Sequence, residues 1–139
     1  MRSIFRSVFA VVAGFVVASV VMMAIESING RFLYPELGKA ADGMIDKEAL
    51  RRLLARAPVG AFLVVIAGWV LGSVAGGWVA ARFGRRAPVG HALTLGGLLT
   101  LAGVANNLTV PPPLWFWIAS LLVLLPAAYA GARLALRPR

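Results

Sequence analysis

Glu26 is the one acidic residue that closes a long uncharged run, and three amides lie where they could join it. The run from Ser7 to Ile25 carries no charge and ends on Glu26, with Asn29 just beyond. At ~1.5 Å of rise per residue, Glu26 lies roughly 27 Å beyond Val8, near the edge of a hydrocarbon core if the run is a membrane helix. Asn106 and Asn107 reach a similar depth on a later apolar run. Ionisable groups in such segments are the default place to look for function. A carboxylate flanked by amide oxygens can hold a cation or a ligand amine. Glu26, Asn29, Asn106 and Asn107 are therefore the candidate ligand-binding set, at one mouth of a bundle. The plainer alternative is a Glu26 solvated among headgroups or bonded to a helix end.

Little else assembles into chemistry. Mid-depth polar groups are hydroxyls (Ser19, Ser73, Thr94 and Thr100), which in membrane helices bond to a neighbouring helix or to their own backbone. Trp69 is also near mid-depth, where it could line a cavity or simply pack. His91 is the sole histidine and stands beside Arg85 and Arg86, with no carboxylate or cysteine to share a metal. Zero cysteine excludes disulfides, thiol nucleophiles and thiolate-bound metals. All five acids lie between Glu26 and Glu48, far from His91. No Ser-His-Asp set, carboxylate pair or phosphate loop can be built. The chain reads as a non-enzyme, without cofactor or metal.

The elements that must position these residues are membrane helices. Hydrophobic residues make up 60% of the 139, well above the roughly 45–50% of soluble domains. The predicted fold is all-α: one membrane domain of four transmembrane helices, at about 7–26, 57–81, 88–109 and 114–134. The first outer loop, 27–56, is expected to hold a short interfacial amphipathic helix. It would start at Asp46 as its cap, show Leu50, Leu53, Leu54 and Ala57 on one side, and pair Glu48 with Arg51 or Arg52. Asn29-Gly30 and Tyr34-Pro35 read as turns, and Gly43 as a break. The first run continues past Val16-Val17-Ala18, so it reads as an anchor and not a cleaved signal. Pro111-Pro112-Pro113 makes a stiff link that leaves the third and fourth spans as antiparallel neighbours. Pro126 should kink the fourth. Arg56-Ala-Pro-Val-Gly60 recurs as Arg86-Ala-Pro-Val-Gly90, read as reuse of a good helix start.

Within the second span, Gly68, Gly72 and Gly76 are spaced by four, and Ala80 continues the row. Such a row forms a slanted small-residue ridge for close helix packing, against a neighbour in the same bundle or a second copy. Ala10, Gly14 and Ala18 form a smaller ridge on the first span.

A net charge of +9 would suggest nucleic acid in a soluble chain. Here the basic residues gather at the ends of apolar runs, so the partner they imply is the lipid bilayer, and no nucleic acid. The N-terminus, the Arg82–Arg86 turn and the C-terminus carry basic charge alone, which places them in the cytoplasm of a bacterial-type inner membrane. In length and span count the chain resembles the small multidrug resistance transporters. Those carry a functional carboxylate well inside the first helix and lack a long first loop, and this chain departs on both counts. Two functions remain: an accessory or scaffold subunit acting through helix packing, as a homo-oligomer or in a larger complex, or a small-solute or cation carrier using Glu26 with Asn106 and Asn107.

Overall fold

Residues 1–43 and 46–138 are described by the computed structural model. The elements are α1 (Arg2–Ile28), a π-helical turn continuing it (Asn29–Leu33), α2 (Pro35–Ala41), α3 (Lys47–Ala55), α4 (Val59–Phe83), α5 (Pro88–Thr109) and α6 (Leu114–Ala135), with no strand among the described residues. Among the described residues four helices are long and apolar enough to cross a membrane: α1 with its π turn, α4, α5 and α6.

α4 is the central post and packs against α1, α5 and α6. Its contact with α1 is made through small residues. A methyl group on Gly76 would stand 2.6 Å from the Gly14 carbonyl oxygen and 2.9 Å from the Ala18 methyl. One on Gly72 would stand 2.8 Å from the Ala18 carbonyl oxygen, and one on Gly68 would be 3.0 Å from the Ile25 side chain. Each advance along α1 is matched by a retreat along α4, which is an antiparallel pair in close backbone contact. The two small-residue ridges thus meet each other inside one chain.

The opposite side of α4 uses glycine the same way. A methyl on Gly77 would overlap the Ala128 carbonyl of α6, and one on Gly131 would overlap the Val74 carbonyl of α4. α5 completes the bundle against α6 and α4, and Gly103 makes room for Leu121, Leu124 and the Trp69 ring. α6 runs unbroken through Pro126, whose neighbours Ala127 and Ala128 are buried while the proline itself is exposed. Ala81, Ala92 and Ala132 close the core at the arginine-rich end.

The first loop differs from the sequence expectation in two places. The chain does not turn at Asn29-Gly30; α1 passes through it as a π turn and reverses at Tyr34-Pro35. The cause is tertiary. Asn29 is buried and donates from Nδ2 to the Ala61 carbonyl at 3.0 Å, holding the helix on α4. A further helix, α2, then folds back so closely that only glycine fits at Gly38 beside the Gly30 carbonyl. Gly43 ends this stretch with φ of +69°, a conformation L side chains rarely adopt. α3 starts at an Asp46 cap, whose Oδ1 accepts from the Glu48 N–H at 3.0 Å, and Glu48 lies 3.9 Å from Arg52 in an exposed pair. Its apolar side, Leu50 and Leu54, rests on Phe62 of α4 and Phe116 of α6.

Candidate functional site

Glu26 stands near the end of α1, one helical turn past Met22, on the side that looks toward α4 and α5. Its Oε1 accepts a hydrogen bond from the Trp69 indole Nε1 at 2.8 Å. Trp69 is 4% exposed, and its ring packs edge-on against Phe116 with centroids 5.8 Å apart. Phe116 in turn stacks with Phe62, which lies under α3. The carboxylate is therefore held by a donor whose own ring is locked in an aromatic cluster. A charge-assisted bond of this kind is about twice as strong as a neutral one.

Beside the pair lies a cavity of about 240 Å³ between α1 and α5. Its polar groups are Glu26, Ser19, Asn106 and the Trp69 indole. The rest of the wall is apolar and pliable: Phe15, Met22, Met23, Leu99 and Leu124 among others. The bundle explains the opening. α1 and α5 approach closely where Gly14 meets Leu95, and the cavity opens between them toward the Glu26 end. Glu26 is its only ionisable lining residue, and among the described residues no cation lies within ion-pair distance of it.

The four residues expected to act together are divided by the structure. Glu26 and Asn106 line the same cavity. Asn29 does not; its Nδ2 donates to the Ala61 carbonyl of α4, and its buried Oδ1 has no partner among the described residues. Asn107 is fully buried on the other side of α5, where Nδ2 donates to the Ser120 hydroxyl of α6 at 3.3 Å. Ser19 joins the cavity from its shared face with Glu26 on α1. Of the other mid-depth hydroxyls, Thr94 and Thr100 bond back to the carbonyls of Gly90 and Gly96. Gly68, Gly72 and Gly76 are buried against α1.

Trp69 is the partner that sequence reasoning did not attach to Glu26. A signal for it exists. An indole N–H at mid-depth has no local acceptor, so it must seek one on another helix, and the only nearby carboxylate is Glu26. Among the described residues no three His, Asp or Glu side chains gather as a metal site would require. The arrangement suits binding instead: one anchored negative charge, an aromatic edge, and apolar walls able to reshape around a ligand. Comparison with known proteins finds no protein family, no curated protein and no solved structure that matches this chain.

Proposed function

We propose that this protein is a small multi-pass membrane protein that binds and carries an amphipathic cation, with Glu26 as the charge partner. The observation that carries the reading is the lone Glu26 carboxylate, bonded to Trp69 and facing a mostly apolar cavity open between two long helices. A carboxylate near the edge of the hydrocarbon core, with no cation in ion-pair distance among the described residues, favours a cationic ligand. The apolar wall then takes the ligand's alkyl or aryl part. Lateral opening between α1 and α5 fits a ligand that partitions into lipid first. In this reading α3 is the interfacial helix that caps the aromatic cluster of Phe62 and Phe116, and the arginine-rich end of the bundle faces the cytoplasm.

The accessory-subunit reading drew on the glycine ridge of Gly68, Gly72 and Gly76. That ridge is occupied by α1, so a scaffold role would need another face. The carrier reading is tested with octyltrimethylammonium against purified protein, with octanol as the uncharged control. The ammonium should bind saturably with a change in tryptophan fluorescence, and Glu26→Gln should weaken it at least about tenfold. Equal binding by the wild type and Glu26→Gln would sink the proposal.

A further inference from the structure

At the other end of the bundle a second pocket, of about 210 Å³, is set between the first turns of α1 and the turn joining α4 to α5. We propose that it binds a phosphate group. This site goes beyond the cation reading: it lies at the opposite end of the helices and selects the opposite charge.

Four arginines line it, Arg2 and Arg6 from α1 and Arg85 and Arg86 from the turn, together with His91. No acid is among the lining residues, and every acid of the chain lies between positions 26 and 48. The pocket is also built, not merely charged. Arg6 donates from Nε to the Phe83 carbonyl at 3.3 Å, tying α1 to the end of α4. Phe9 meets Phe83 edge-on with ring centroids 5.7 Å apart, which supports the same junction from below. Gly84 is buried, and a methyl there would come within 2.5 Å of the His91 ring carbon Cγ. The glycine is what lets the imidazole lie against the turn. His91 Nδ1 is 2.7 Å from the Ala87 carbonyl oxygen, so Nδ1 is the donor and the ring is held in place.

A topology signal needs only positive charge on one side of the membrane. It has no use for a concave pocket, for an arginine bonded to a helix end, or for a glycine that seats a histidine. Guanidinium forks match phosphate oxygens two at a time, which ammonium groups do not. The ligand class is thus a phosphate ester or phosphate itself, from a phospholipid headgroup or from solution.

The test uses the whole protein in phosphate-free maltoside detergent with two probes, phosphatidic acid and inorganic phosphate. Arg85→Lys/Arg86→Lys keeps the charge and the topology signal while removing two forks. His91→Gln tests the seated ring independently. The wild type should retain phosphatidic acid through native mass spectrometry, or show a saturable rise in Tm with inorganic phosphate. The first result assigns a lipid source and the second a soluble one. The double lysine variant should bind at least about tenfold more weakly, and His91→Gln several-fold more weakly. If the lysine variant holds both probes as well as the wild type, or the wild type holds neither, the site is overturned.

Discussion

Trp69 and Glu26 meet across two antiparallel helices, and neither residue is accounted for by its own helix. The indole gives the carboxylate a donor at 2.8 Å, and the carboxylate gives a buried N–H its acceptor. Trp69→Phe keeps an aromatic ring beside Phe116 but deletes that donor. The variant should lose about 1–2 kcal/mol of stability, the size of one hydrogen bond to a charged group in a partly exposed setting. Thermal unfolding in detergent reads this directly, and an unchanged Tm would show that the bond contributes nothing. Part of this site was readable from residue types alone, since Glu26 and Asn106 stand at matching depth on their helices. Which of Asn106 and Asn107 reaches the cavity was not. Adjacent helical residues point about 100° apart, so the two amides meet different surroundings. The choice is made by α6, where the Ser120 hydroxyl accepts from Asn107 and leaves Asn106 to the cavity. Asn29 was likewise unreadable, because its partner is a backbone carbonyl of α4 that no sequence pattern marks.

Among the elements, α4 carries the most constraint, because glycine lines two of its sides. The α1 side is tested by Gly72→Leu, which puts a branched side chain where the Ala18 carbonyl oxygen and Met22 already crowd a single methyl. Overpacking of this kind costs about 1–3 kcal/mol, and backbone on the far side leaves little room to relax. The purified variant should therefore melt earlier as a single chain. Loss of a dimer with Tm unchanged would mean instead that the ridge serves a second copy. The four long helices and their all-α character could be read from hydropathy, since an apolar run bounded by arginine has one stable form in lipid. The first loop could be read only in part. Asp46 and the leucine spacing of α3 are local signals, and they suffice for that helix. The π turn and α2 are not local: they depend on Asn29 docking on Ala61 and on Gly38 meeting Gly30, contacts between segments far apart or folded back. Turn-forming Asn29-Gly30 then yields to tertiary packing.

For the whole molecule the governing asymmetry is charge. Arg2, Arg6, Arg85 and Arg86 gather around one pocket at the α1–α4–α5 corner, and the Ala81, Ala92 and Ala132 cluster brings the last turn of α6 to the same end. The acids sit with Glu26 and the 27–56 loop at the other. In a membrane the Lys and Arg bias sets orientation, so the arginine end should face the cytoplasm and the Glu26 cavity should open toward the outside. The 27–56 loop also carries basic residues, so labelling from each side of the membrane is the direct test of orientation. The absence of cysteine from the chain makes that experiment clean, because any introduced thiol is the only one. Lys39→Cys in the loop should react with a membrane-impermeant maleimide in intact cells. Arg137→Cys should react only after the membrane is opened. The reverse pattern would invert the molecule, put the arginine pocket outside, and make the Glu26 cavity a site loaded from the cytoplasm. Labelling of both in intact cells would mean that the four apolar helices do not enclose a sealed membrane between these two positions, and the carrier reading would fall with it.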